Sequence, residues 1–377
     1  MIRCNLKLAP YQIFFPIGFL NALIAVGVWF IQDFHWFSAP TMLIHEKLIM
    51  GGFLWSFIVG FLMTAIPKMT GTNPANKVEL TFASILIAGL MYFSWDIDPR
   101  FFYANHMILI LFLIFFGGRR FLKTTKPAPV FFSHVVIGLF LALAGAIYHF
   151  QGNSIMGIHL FHVGAVLLLV LGIGTRFFSF LSGLPSAFEG EKSVWFRRGF
   201  HVLGIIMALL LFCAGSGVVV AYLGLTIGSL IYLFAIWKVH RASERASPLK
   251  YGLKFVALMI PLSFLMSYMQ PQMFITWFHL LFIGCFGLIT FSVATRVTLA
   301  HGSYSTNLEI KSPALAWFVF FLILGLSSRI LYGFAEGSWK KSLLHLAATF
   351  WLLALGSWGS SFLFKIFKPG SQPKASC

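Results

Sequence analysis

The sequence predicts an all-α polytopic membrane protein of about twelve transmembrane helices in three four-helix units, with both termini cytoplasmic. Three observations predict this. The chain of 377 residues is 59% hydrophobic and 10% charged, with a mean hydropathy of +0.88; a soluble globule cannot hide that much apolar surface from water. Apolar windows of membrane-crossing length follow one another with short connectors and leave no room for a soluble domain. Finally, a pattern recurs: His159, Gly164, Thr175 and Arg176 reappear 120 residues later as His279, Gly284, Thr295 and Arg296. A third apolar helix begins with His45 and carries Gly51, Gly60 and Thr64 in looser spacing, without the arginine. Self-similarity at so long a period marks repeated units, here approximately 10–125, 126–240 and 241–368 within one membrane domain.

Taken in order, the windows fall near 13–31, 44–66, 79–95, 101–118, 129–149, 156–178, 199–215, 217–237, 252–270, 275–299, 313–333 and 343–365. Each approaches the roughly 20 residues that an α-helix needs to cross the hydrocarbon core. The first has Arg3 and Lys7 before it but is full length and lacks a small-residue cleavage site, so it reads as a retained helix. Charged or turn-like connectors separate the rest, as at 70–77, 119–129, 183–198 and 238–250.

The formal net charge of +17 suggests nucleic acid only until its distribution is read. With the N-terminus inside, 22 cationic residues lie on the cytoplasmic side, among them Arg3, Lys7, Lys126, Lys192, Arg245 and Lys374. The other face has five: Lys47, Arg100, Arg329, Lys340 and Lys341. That bias follows the positive-inside rule, so the basic charge belongs to topology and to anionic lipid, not to a nucleic acid. Cys4, Cys213, Cys285 and Cys377 are far apart and form no CxxC pair, so no disulfide framework is indicated.

This orientation gives the histidines depths. Helices 2, 6 and 10 run from outside to inside, which puts His45, His159 with His162, and His279 in their outer halves. His106, His149 and His345 also lie outward, while His134, His201, His240 and His301 lie toward the cytoplasm. Ionisable groups within a membrane are costly and are read as functional first. Neutral imidazole is a ligand for copper and haem iron that an apolar bundle tolerates. His45 and His279 are candidate haem ligands, with Gly51, Gly52, Gly284 and Gly287 either relieving the approach of a flat macrocycle or simply packing helices. His159 and His162, three apart, share one face of an α-helix and are a candidate copper pair, completed by His149, His201 or water. Glu46 is a candidate proton relay, an imidazole partner, or one half of a salt bridge with Lys47. Arg329 suits either a haem propionate or lipid headgroups. No GxGxxG with a following acid, Walker loop, HExxH or CxxCH occurs.

Two segments resemble the NnrS family. One runs from His279 through Gly284 to Thr295-Arg296 and His301-Gly302; the other begins His45-Glu46 and passes through Gly60, Phe61, Thr64, Ala65 and Pro67 to Thr70-Gly71. Ala9-Pro10 to Phe14-Phe15 and Gly174 to Arg176 match more weakly. Leu43 stands where members often have a second histidine, Lys47 replaces a usual methionine, and Ser179 lies near an expected proline. The resemblance implies a bacterial inner-membrane protein containing haem and copper, acting in nitric oxide metabolism, denitrification or nitrosative-stress defence, with an electron donor where it turns over. The layout is also similar to haem-copper oxidase catalytic subunits, whose helices 2 and 10 hold haem and helices 6 and 7 copper; here helix 7 offers only His201. A transporter or channel for a small solute, or a haem sensor without turnover, is the alternative reading.

Overall fold

The computed structural model describes residues 8–32, 39–124, 127–182, 187–188, 193–241, 247–305 and 307–368. Arg3, Lys7, Lys126, Lys192, Arg245, Lys374, Cys4 and Cys377 lie outside these. The regular elements of the described residues are all helices, with no strand. We label the helices α1 (Pro10–Ile31), α2 (Thr41–Thr70), α3 (Lys77–Phe93), α4 (Pro99–Lys123), α5 (Phe132–Phe150), α6 (Ser154–Ser179), α7 (Val194–Gly215), α8 (Val220–Ile236), α9 (Pro248–Met269), α10 (Pro271–His301), α11 (Pro313–Tyr332) and α12 (Gly337–Ile366). A short helical turn, Asn307–Lys311, follows α10.

Among the described residues, ten of these helices are long and apolar enough to cross a membrane. The other two fall where crossings were expected but are shorter: α3 has 17 residues, and α8 has 12 α-helical residues before a five-residue π-helical end. In α3 the first turn is polar because Glu79 is bound there. It forms a reciprocal cap with Asn76 and accepts from Arg119 and Arg120.

Helix starts follow local chemistry that hydropathy does not register. Asp98, Asn153, Ser193 and Ser247 each accept a backbone N–H in the first turn of α4, α6, α7 and α9. Proline opens α1, α4, α9, α10 and α11, where its missing N–H costs nothing. The α2 helix ends at Gly71, whose φ of 66° needs a residue without a Cβ.

Sequential helices pack on one another, α4 against α5 and α8 against α9, and α12 returns to α1. Three helices lie innermost. The apolar windows of α2, α6 and α10 are 78%, 89% and 61% buried, against 33–56% for the other helices of crossing length. They meet around a small apolar cavity of about 70 Å³ between Phe57 of α2, Leu169 of α6 and Ile289 of α10, among others. Stacked rings join them as well, Trp55 on Phe161 and Phe53 on Phe291.

Each inner helix is interrupted by a π-helical segment beside its histidines: Leu48–Leu54 after His45, Ile158–Ala165 around His159 and His162, and Leu280–Gly287 after His279. Such segments are rare, and functional sites are where they concentrate.

Candidate haem and metal site

A cavity of about 340 Å³ opens between the first halves of α2 and α10 and the facing parts of α1, α6, α11 and α12. Its wall is mostly apolar and aromatic, including Phe53, Phe282, Ile283, Ala347 and Trp351. The imidazoles of His45, His162 and His279, the Glu46 carboxyl and the Arg329 guanidinium converge on it. A few placed polar groups in an apolar concavity is the usual composition of a cofactor site.

The two imidazoles are prepared alike. Nδ1 of His279 lies 2.7 Å from the Ile275 carbonyl, and Nδ1 of His45 lies 2.7 Å from the Ala25 carbonyl on α1. A carbonyl only accepts, so each Nδ1 carries the hydrogen and each Nε2 keeps its lone pair. Trp29 Nε1 also approaches His45 Nδ1, at 3.2 Å, but the shorter carbonyl contact governs the tautomer. Ring N–H to backbone carbonyl is the arrangement that orients metal-binding histidines. Arg329 Nη1 is buried without a hydrogen-bond partner among the described residues, and its guanidinium sits 4.7 Å from the Tyr332 ring centre. An unpaired donor at the wall of an apolar cavity favours an anionic group. Two free imidazole nitrogens, apolar walls and an unpaired guanidinium fit a haem with its propionates.

A second cluster adjoins the first. Ligand atoms of Glu46, His149 and His162 all lie within 4.8 Å of one another, the one such group among the described residues. Glu46 Oε1 is 3.5 Å from His162 Nε2 and accepts from the Tyr103 hydroxyl at 3.3 Å. The Tyr103 ring stacks on His149 at 4.3 Å, nearly parallel. Among the described residues, His149 Nε2 has no hydrogen-bond partner. Gly157 makes the room for this ring: a Cβ there would meet His149 at 2.2 Å. Two imidazoles and a carboxylate suit a first-row transition metal, copper among them.

Several expectations are corrected. His159 does not join His162: its Nδ1 donates to the Ile155 carbonyl at 2.8 Å, and its Nε2 accepts from Tyr222 at 2.6 Å. The three-residue spacing falls inside a π-helical segment, whose wider turn carries the two rings apart. Gly51 and Gly284 do not line the cavity. A Cβ on Gly51 would strike the Phe102 ring at 2.2 Å, and one on Gly284 would meet Met259 and Leu326, so both are close-packing positions. Lys47 does not pair with Glu46; it is buried and donates to the Asp96 carbonyl at 2.7 Å beyond the end of α3. Arg329 lines the cavity.

The motif residues at the other end of α10 are structural. Thr295 donates to the Phe291 carbonyl and accepts from Trp358 Nε1 at 2.8 Å, and Arg296 pairs with Glu309 at 3.1 Å. His301 lies beside Lys68 and Tyr11. Away from the cavity, His201, Ser133, His134 and Tyr232 form a continuous hydrogen-bonded chain across α7, α5 and α8. Sequence reasoning set His149 and His106 among open alternatives and passed over Tyr103. The available signal was the Tyr103–His106 spacing, three residues apart on one face of α4.

Comparison with known proteins supports the resemblance carried by the two long motifs. No curated protein matches the chain. The family model described as NnrS protein matches residues 5–369, nearly the whole sequence, and the chain therefore belongs to the NnrS family.

Proposed function

We propose that this protein is a haem- and copper-bearing membrane protein that binds nitric oxide and detoxifies or reduces it. The observation that carries the reading is the matched pair His45 and His279, on separate inner helices, each with Nδ1 donated to a backbone carbonyl and Nε2 left free at one cavity. A haem held there would supply iron that passes electrons and, where one of the two imidazoles gives up its position, takes up a small diatomic gas. The chain's own residues do the rest. His45 and His279 orient it, Arg329 offers its unpaired N–H to a carboxylate, and the apolar wall excludes water. Glu46, on the cavity wall and 3.5 Å from His162, holds a proton position between the two clusters. His149 and His162 are the copper ligands.

The same reading takes α3 and α8 as crossings that complete twelve, in three four-helix units with both termini cytoplasmic, in a bacterial inner membrane. The 120-residue repeat supports it: His159 and His279 each bond the carbonyl four residues earlier.

Purified protein from haem- and copper-replete cells tests the function. The expected result is a Soret band that shifts on addition of nitric oxide, with His45→Ala and His279→Ala each altering the spectrum. Absence of a Soret band, or unaltered spectra in both variants, overturns the proposal. Consumption of nitric oxide with an added electron donor separates turnover from sensing.

A further inference from the structure

We propose that His106 is a third imidazole of the metal centre at His149 and His162, beside Glu46. This rests on the metal-centre reading given above. His106 is fully buried, and neither of its ring nitrogens has a hydrogen-bond partner among the described residues. An imidazole has one N–H donor and one acceptor nitrogen, and burying both unsatisfied in a membrane interior is costly enough to require a cause.

The surroundings offer none among the described residues. Its ring is caged by Trp55 at 4.9 Å, Phe102 at 5.6 Å and Phe161 at 4.6 Å between centres, all of them without an acceptor to give. What the surroundings do offer is the neighbouring cluster. Phe161 touches all three imidazoles, with ring centres at 4.6 Å for His106, 5.3 Å for His162 and 6.3 Å for His149. On α4, His106 lies three residues beyond Tyr103, whose ring covers His149 and whose hydroxyl reaches Glu46. Residues three apart share a helix face, so α4 presents His106 toward the cluster that Tyr103 already contacts. His106 lies outside the group of ligand atoms within 4.8 Å of one another, so an ion bound by His149 and His162 draws its ring inward.

The ion expected is one that prefers imidazole over oxygen, which among common first-row metals favours copper. If His106 were only a packing residue, phenylalanine would suit its aromatic cage at least as well.

The test uses the purified full-length chain, stripped with a chelator and titrated with copper(II) alone. The wild-type copper(II) electron paramagnetic resonance spectrum is expected to show coupling to three imidazole nitrogens. His106→Phe and His106→Leu are expected to show two, with at least about tenfold weaker copper binding and an unchanged haem absorption spectrum, which reports correct folding. A two-nitrogen wild-type spectrum overturns the inference without recourse to any variant, as do variants that bind copper like the wild type; both leave the His149–His162 centre standing. A wild-type chain that takes up haem but no copper overturns the metal centre itself and His106 with it.

Discussion

Replacing Gly157 by alanine perturbs the candidate metal cluster without replacing any of its ligand side chains. The added Cβ would lie 2.2 Å from His149 Cδ2 and 2.4 Å from Nε2. Carbon contacts settle near 3.5–4.0 Å, so the ring must retreat by more than about 1 Å, or α5 and α6 must part. Backbone separation is opposed a few residues away, where Gly145 lies so close to α6 that a Cβ there would meet the Phe161 nitrogen at 2.4 Å. The ring therefore takes the strain, sliding against the Tyr103 face that covers it. Ligand sets tolerate displacements of only about 0.5 Å, and overpacking of a tight interior costs typically about 1–3 kcal/mol. Gly157→Ala is expected to lower copper content and weaken copper binding about tenfold or more. The haem spectrum stays unchanged, because His45 and His279 sit on other helices. Metal analysis and optical spectra of purified variant and wild type read both quantities. Full copper content in Gly157→Ala, or equal loss of haem and copper, would refute the assignment of His149 as a ligand held by this packing.

Three further outcomes are expected. Arg329→Leu removes the unpaired donor at the cavity; a hydrogen bond to a charged group is worth roughly 1.5–3 kcal/mol, so haem should transfer to an apo-globin acceptor about tenfold faster or more, and an unchanged rate would return Arg329 to lipid. Thr295→Val leaves Trp358 Nε1 without its acceptor in a fully buried setting; stability should fall by about 1–3 kcal/mol in denaturation assays while the haem and copper spectra hold, and a spectral change would give the threonine a role at the site. Burial pushes the Glu309 carboxyl above its ordinary value of 4.5 although Arg296 pulls it down. The folded chain thus holds this proton more tightly than the unfolded chain, so its contribution to stability is full below that ordinary value and declines as pH rises through the raised one. Removing Glu309 should abolish that part of the pH dependence, and an identical profile for Glu309→Gln would contradict it.

The hydropathy of the chain makes its helices legible because lipid demands long apolar runs, whereas their ends depend on caps such as Asn76 with Glu79 and Asp98, which hydropathy does not see. The cavity residues were legible for a related reason: a histidine, a glutamate or an arginine within an apolar run stands out whatever it touches. His45, Glu46, His279 and Arg329 all meet at one cavity. Partnership was not legible. The pairing of His159 with His162 assumes an α-helical turn, and a helix apolar on every side gives no periodic signal that Ile158–Ala165 is π-helical. The glycines were ambiguous for a different cause. Gly51 adjoins a cavity residue in sequence, yet it admits Phe102 from α4, and a missing side chain leaves no mark of the direction it faces. His149 and His162 approach one another from α5 and α6, a contact that belongs to packing between helices and to no local spacing.

The most direct measurement is an anomalous difference map at the iron absorption edge, from crystals of protein purified out of haem-replete cells. A single strong peak in the cavity bounded by His45 on α2 and His279 on α10 is the predicted result. Iron located elsewhere in the bundle, or a haem-loaded protein with neither imidazole beside its iron, would contradict the account.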